Sequence, residues 1–368
     1  MLIFLVYLLV AVRDLFRKPF DEGTIVKLKV YTDYLREWAP VFLSRREPIW
    51  KTVQIFDFFA GQGKDSLNRP GSPLIALEVV RSFERLIVNR GIKVILHFNE
   101  LEEDNYRALM DCLAGAKGNF SIRTYNRDFK SLFNEQYEAM KQSANFLFFD
   151  QNGIKEITSE LFVKIIALRQ TDFLFFISSS YFRRFANTPE FQKYFPFDPV
   201  EMQSVHYYHV HRKVLAHYKS LIPIGRTYYL APFSIKKERN IYGLIFGTHH
   251  TLGIEKFLSV AWKNDSLRGE ANYDIDSEKI DLHSPSLFPE FDIPSKRDVF
   301  EKNLRRKILG REIGMRNEAY LFALNEGFLL KDANVVLKKL FAEKKIKSVI
   351  EYISTDLHKN KNDVPIII

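Results

Sequence analysis

Asp57-Phe58-Phe59-Ala60-Gly61-Gln62-Gly63 is the stretch on which the fold turns. The apolar run Val53–Phe59 reads as a β-strand, and Gly61 and Gly63 follow it as a turn where backbone can approach a ligand that any side chain would block. Gly71-Ser72-Pro73 then opens a helix, with Ser72 as its cap and Pro73 at the first helical position. A strand, a glycine turn and a helix N-terminus together form a site for the polar groups of a cofactor. The turn lacks the third glycine of a pyrophosphate-binding loop, which weighs against a nicotinamide dinucleotide.

Outward from this stretch, apolar runs alternate with helical patterns, the signature of βαβ units. Strands are expected at Val53–Phe59, Lys93–Asn99, Phe120–Tyr125, Asn145–Phe149 and Asp172–Ser178. Helices are expected at Ser72–Arg90, Glu102–Ala114, Lys130–Lys141 and Lys155–Arg169. Wholly apolar strands such as Phe146-Leu147-Phe148-Phe149 suit a parallel sheet covered on both faces. Two more strands, Thr227–Pro232 and Ile241–Gly247, follow a helical, aromatic and histidine-rich stretch, and Leu252–Lys263 reads as a helix. Ahead of the sheet, Asp21–Ser44 reads as an amphipathic helix capped by Thr24. Lys296–Leu309, Glu312–Asn325 and Ala333–Lys344, the last capped by Asp332, read as helices, and Lys347–Ile353 as one strand of a wing.

The fold class is therefore α/β: a Rossmann-like sheet of the class I methyltransferase type, with helical additions and a C-terminal winged-helix-like domain. The expected division is an N-terminal helical segment (1–45), a Rossmann-like domain binding S-adenosylmethionine (46–264), a linker (265–295) and a basic domain (296–368).

Acidic residues recur at successive strand ends. Asp57 occupies the place of the first-motif acid near the methionine portion of S-adenosylmethionine, with Phe59, Gly61 and Gly63 beside it. Glu100 stands where a carboxylate accepts both ribose hydroxyls, or else caps the helix that follows. Asp128, ahead of Phe129, is placed to accept an adenine amino group. After strand four, Asp150-Gln151-Asn152-Gly153 stands where amino-group methyltransferases carry a polar-Pro-Pro-aromatic motif. The Pro and the aromatic are missing, so Asp150 and Asn152 are the catalytic candidates, with Asn152 also readable as a turn residue. His206, His209 and His211 lack a nearby carboxylate in sequence and suit packing or phosphate contacts better than a metal.

The formal net charge is +9. Between Lys296 and Asn360 stand 15 Lys/Arg against 9 Asp/Glu, so most of the surplus lies at the C-terminal end. Such a surplus suits nucleic acid, although interleaved Lys and Glu also fit a solvated helical face. Arg183, Arg184, Arg212, Lys213, Lys236, Lys237, Arg305 and Arg306 are the candidate nucleic-acid contacts. The single cysteine, Cys112, excludes an internal disulfide and an all-thiolate zinc site. Met1–Val12 is wholly apolar but shorter than the ~20 residues of a spanning helix, and it lacks the basic start of a signal peptide. A cytoplasmic protein without a membrane anchor is the expectation.

Several segments resemble the three-Cys-motif partner protein family (TcmP) of bacteria. They include Pro19-Phe20-Asp21-Glu22-Gly23-Thr24 with Lys27-Leu28, Tyr34-Leu35-Arg36-Glu37-Trp38, and the glycine turn with Gly71-Ser72-Pro73. Ala231-Pro232-Phe233-Ser234-Ile235-Lys236-Lys237 and Ile241–Gly247, then His250, Gly253, Glu255-Lys256-Phe257 and Trp262, continue it. The resemblance implies a methyltransferase-like fold and a partner carrying the three-cysteine motif, encoded in a neighbouring gene. It implies no established reaction, and the family's Asp-Pro-aromatic-Gly is replaced here by Asp150–Gly153. Two functions follow: a methyltransferase acting on nucleic acid, or an inactive subunit of the same fold that binds nucleic acid or its partner.

Overall fold

The structure, a computed structural model, describes residues 19–150, 157–179, 188–192, 205–237, 240–276, 294–347, 352–361 and 363–368. The apolar segment Met1–Val12, Asn152, Arg183 and Arg184 lie outside them, as does most of the expected strand Lys347–Ile353.

Seven strands form one sheet: β1 (Thr52–Asp57), β2 (Lys93–Asn99), β3 (Ser121–Tyr125), β4 (Ala144–Phe149), β5 (Thr171–Ser178), β6 (Tyr229–Lys237) and β7 (Asn240–Thr248). Their order is β3-β2-β1-β4-β5-β7-β6. The first five run parallel and β7 is antiparallel to both neighbours. This order, with a reversed strand inserted beside β5, is the class I methyltransferase arrangement that the sequence led us to expect. The order reverses between β1 and β4, and ligands in such sheets bind in the crevice beyond the carboxyl ends there. Strand β4 is buried throughout, as its apolar run demands.

Two helical layers cover the sheet. On one face lie α1 (Glu22–Leu43), α2 (Ser72–Ser82), α3 (Glu84–Arg90) and α4 (Glu103–Leu113). The opposite core holds α5 (Phe129–Lys141), α6 (Ser159–Ala167) and α7 (Val210–Ser220). The first face also takes α8 (Thr251–Asn264). Helix α1 buries Leu28, Tyr31, Leu35 and Trp38 at three- and four-residue spacing, the stripe of a helix lying on a core. Its rings meet the sheet directly: Tyr31 lies 4.5 Å from Phe148, Tyr34 4.7 Å from Phe246 and Trp38 5.7 Å from Phe146. The cap of α1 is Asp21 rather than the expected Thr24. Asp21 accepts the Thr24 N–H at 2.9 Å, because the carboxylate precedes the first helical residue by one position. The expected single helix Ser72–Arg90 breaks at Phe83, which is the C-cap of α2 and the N-cap of α3.

The C-terminal unit comprises α9 (Lys296–Leu309), α10 (Arg316–Asn325), α11 (Leu330–Ala342) and α12 (Ser354–Lys359). Ser295 and Asp298 form a reciprocal capping box at α9. The chain end supplies the extended pairing of a winged helix. Ile366 N–H donates to Gly314 O at 2.7 Å, and Lys347 N–H to Ile367 O at 2.7 Å. The start of α11 is set by Leu329, with Asp332 reaching back to its N–H at 3.0 Å, instead of by Asp332 as cap. Residues 265–276 do not form an open linker. Ser234 and Ala271 pair across an isolated bridge, and Glu270 and Ala271 are buried. The Trp262 indole donates to Gly327 O at 2.9 Å, tying α8 to the C-terminal unit.

Phe146 is fully buried under Tyr31, Tyr34 and Trp38. Phe146→Ala is therefore expected to lower stability by about 3–5 kcal/mol in urea unfolding. A loss below about 1 kcal/mol would show that α1 is not packed on β4 as described.

Candidate functional site

Beyond the carboxyl ends of β1, β2, β4 and β5 lies a cavity of about 340 Å³. Its lining includes Phe59, Gly63, Gly71, Ser72, Glu100 and Asp150. The glycine turn shapes one wall. Gly61 and Gly63 have φ of 61° and 87°, the left-handed region that glycine enters without strain. Gly71 N–H donates to Gly63 O at 2.8 Å, and a Cβ on Gly71 would stand 3.0 Å from that oxygen. A side chain at Gly71 would therefore push on the backbone that closes the loop from Gly63 to Gly71.

Asp57 sits at the end of β1, 1% exposed. Its Oδ1 accepts the Phe59 N–H at 3.2 Å, and its Oδ2 is buried without a hydrogen-bond partner. Burial pushes this carboxyl up to about 7; the Ser72 hydroxyl and Phe59 amide pull it down, while the charges of Asp150 and Glu100 push it up. Ser72 is thus the first residue of α2, hydrogen-bonded to Asp57, and Gly71 takes the cap position expected for Ser72.

Glu100 follows β2 and faces the turn. Its Oε2 accepts the Gly61 N–H at 2.9 Å and its Oε1 the Glu102 N–H at 2.8 Å. Burial raises its pKa, and these two amides oppose that rise. A carboxylate offers about four lone-pair sites; the Gly61, Glu102 and Leu101 amides draw on three, which leaves acceptor capacity for a donor in the cavity.

The remaining wall comes from α1 and the segment before it. Lys27, 7% exposed, forms a short ion pair with Asp150, and its Nζ lies 4.7 Å over the Phe176 ring. Lys237 pairs with Asp21 at 2.7 Å. A clamp holds the entry to α1. Asp65 accepts Phe20 N–H at 2.7 Å and Arg69 Nε at 2.6 Å, while Arg69 donates to Phe20 O at 2.6 Å.

The cleft lining thus brings together Phe59, Gly63, Glu100 and Asp150; Asp57 lies buried behind it at the end of β1, joined to the lining residue Ser72, and Gly61 meets it through the hydrogen bond to Glu100. Asp128 is placed differently. It is exposed, outside the cavity lining, and caps α5 by accepting the Ser131 N–H at 2.9 Å. The candidate basic residues are dispersed. Arg212 is engaged by Glu270 and Asp276, with contacts of 2.5–3.1 Å, beside half-buried Lys213 on α7. Lys236 lies over Tyr208 and Tyr273, at 5.6 and 5.8 Å from the ring centres. Arg305 forms a two-pronged pair with Glu343, and Arg306 pairs with Glu312. The charges of Arg212, Arg305 and Arg306 are thus already matched by carboxylates. His209 pairs with Asp276 at 2.7 Å and His211 with Glu270 at 2.9 Å. No cluster of three or more His, Cys, Asp or Glu with metal-holding geometry occurs among the described residues. None of the described helices is long and apolar enough to cross a membrane.

In the sequence Phe20 and Lys27 stand out only as parts of the segments that carry the resemblance, and Asp65 and Arg69 not at all. A signal for Lys27 existed: it falls on the buried stripe of α1, where an unpaired lysine is costly.

Because folded Asp57 holds its proton more tightly than an unfolded chain does, its contribution to stability is fully present below about pH 4. It is lost as pH rises to about 7. Asp57→Asn removes this dependence, so the variant should gain on the parent by about 4 kcal/mol on going from pH 4 to pH 8. Thermal unfolding at the two pH values reads this; a variant equally destabilised at both would contradict the buried, unpartnered carboxyl.

A family profile described as a GMT-like wHTH domain matches residues 274–352, in agreement with the winged-helix unit. A search of curated protein sequences finds no match. Among solved structures, the chain is similar to TYW2 from P. horikoshii, crystallised with MeSAdo, at 13% identity and TM-score 0.27, covering 62% of this chain and 63% of that one. It is also similar to the O-methyltransferase TomG from Streptomyces achromogenes, solved with SAM, at 11% identity and TM-score 0.32, covering 65% and 94%. A protein described as a zinc-dependent alcohol dehydrogenase from Rhodobacter sphaeroides matches at 12% identity and TM-score 0.25, covering 61% and 98%. The strand order, and not these distant likenesses, defines the sheet as a methyltransferase-type one.

Proposed function

We propose that this chain binds S-adenosylmethionine and acts as a methyltransferase on nucleic acid, together with a three-Cys-motif partner. The observation that carries the reading is the convergence of the glycine turn, Glu100 and Asp150 on one cavity at the switch point of the sheet, with Asp57 buried directly behind the lining residue Ser72. The residues fit the cofactor's chemistry. The unpartnered Oδ2 of Asp57, just behind the cavity wall, suits a cationic amino group, and the remaining acceptor capacity of Glu100 suits a ribose hydroxyl. When bound, S-adenosylmethionine supplies an electrophilic methyl group on a sulfonium. Asp150 would orient the accepting atom by hydrogen bonding, with Lys27 fixing the position of its carboxylate. Asp128, outside the cavity lining, is given no part in this reading.

Nucleic acid is supported by the winged-helix unit. Lys331, Lys338 and Lys345 are exposed at seven-residue spacing along α11 and just past its end, in no salt bridge among the described residues. Helix α11 is the second helix of a helix-turn-helix, the one that enters a groove in such modules.

A second reading, a subunit that binds without transferring, is favoured by one feature. Asp150 already has Lys27 as a partner, and the Pro and aromatic expected after it are absent. Incubation with tritiated S-adenosylmethionine and DNA or RNA, with and without the cysteine-bearing partner, separates the two. Transfer that falls at least about 100-fold in Asp150→Asn supports the enzyme. Cofactor binding without transfer to any of these acceptors supports the subunit.

The triple variant Lys331→Glu, Lys338→Glu, Lys345→Glu should weaken nucleic-acid binding and reduce the salt slope by about three. Arg305→Ala, whose charge is matched by Glu343, should change it little. An unchanged salt slope in the triple variant would remove α11 from the interface.

A further inference from the structure

A larger cavity, about 570 Å³, lies at the opposite end of the sheet from the cleft. The far half of α1, the end of β7, the start of α8 and α12 enclose it. No part of the proposed transfer chemistry uses it.

Its groups are arranged in depth. Asp172, at the amino end of β5, is buried at 6% exposure. Its Oδ2 accepts the Tyr34 hydroxyl at 2.6 Å and its Oδ1 the Thr248 hydroxyl at 2.5 Å. Each oxygen keeps a lone pair for another donor. The walls are aromatic, with Trp38, Phe42 and Trp50 among the lining residues. Trp38 is 2% exposed, and its indole N–H has no hydrogen-bond acceptor, a cost that a native core seldom tolerates. Arg45 and Lys359 are exposed members of the lining, in no salt bridge among the described residues. Lys256, also in the lining, is matched by Glu37 at 2.7 Å.

A buried acceptor and an orphan donor, aromatic walls, and two free cations at the surface describe a particular ligand. A fatty or simple carboxylic acid would satisfy the cations but leave the indole N–H and the Asp172 lone pairs unmet. A nucleobase carries both a donor and an acceptor on one flat edge and stacks on aromatic rings for about 1–3 kcal/mol per base. A phosphate on the same molecule would reach the surface cations.

We propose that this cavity binds a nucleoside 5′-phosphate bearing an amino-substituted base, with the base directed toward Trp38 and Asp172 and the phosphate toward Arg45 and Lys359. The nucleotide is either free or the 5′ end of a strand. Since α12 and α8 both border the cavity, occupancy would bear on the seating of the C-terminal unit against the sheet.

Two of the three tryptophans, Trp38 and Trp50, border this cavity, so tryptophan fluorescence of the full chain reports on it. AMP should quench it saturably, with half-saturation below about 1 mM. Adenosine and ribose 5-phosphate should each bind at least about ten-fold more weakly. The double variant Arg45→Ala, Lys359→Ala alters exposed side chains only, so its fold should stand. It should lose at least about ten-fold in AMP affinity while S-adenosylmethionine still binds. A 5′-phosphorylated trinucleotide that binds more tightly than AMP assigns the site to a strand end, and the reverse assigns it to a free nucleotide. No saturable quenching by either ligand, or equal AMP affinity in the variant, would overturn the proposal. Neither result depends on whether the cleft transfers methyl groups.

Discussion

Burial of one helical face holds this molecule together. Tyr31, Tyr34, Leu35 and Trp38 of α1 lie against Phe146, Phe148 and Phe246 of the central strands. Aromatic side chains bury more area than any others, and their edge-on and tilted contacts here add to the area term. A helix of 22 residues spans about 33 Å, enough to run from one end of the strands to the other. Its first turns bring Lys27 to Asp150, and its last turns bring Trp38 and Phe42 to the second cavity. One packing event therefore walls both cavities. The clamp of Asp65, Arg69 and Phe20 fixes the end of that helix nearest the glycine turn.

The electrostatics of the cleft follow from the same burial. Two carboxylates, Glu100 and Asp150, line the cleft, and a third, Asp57, is buried behind it. Each is accommodated differently: Asp57 by holding its proton up to about pH 7, Glu100 by backbone amides, and Asp150 by Lys27. A site that concentrates unmet acceptors gives up stability to be ready for a cation and a diol, the usual relation between a functional site and its scaffold.

Much of the fold was legible because short-range patterns are strong in this chain. The apolar runs of β1, β4 and β5 and the glycine turn located the sheet and its switch point, and the acids at the ends of β1, β2 and β4 fell where the strands end. What was not legible depended on long-range contact. Asp128 reads the same in sequence whether it meets a ligand or caps α5, and only the register of the following helix decides for the cap. Arg212, Arg305 and Arg306 contribute to a basic count, yet carboxylates match them, those of Arg212 and Arg305 distant in sequence and that of Arg306 six residues on. The stretch 265–295 reads as a linker or surface loop from its acids and prolines, but within it Ala271 pairs with β6 and the buried Glu270 bonds His211 of α7. Lys27 was hidden because its partner lies 123 positions away.

The central claim is that the cleft at the switch point holds S-adenosylmethionine through Glu100 and Asp57. Calorimetric titration of the purified chain with S-adenosylhomocysteine, beside a folded Glu100→Ala variant, tests it most directly. Micromolar binding to the parent that weakens at least about 100-fold in the variant is the predicted result. A folded parent that takes up no ligand, or a variant that binds as well as the parent, would contradict the account.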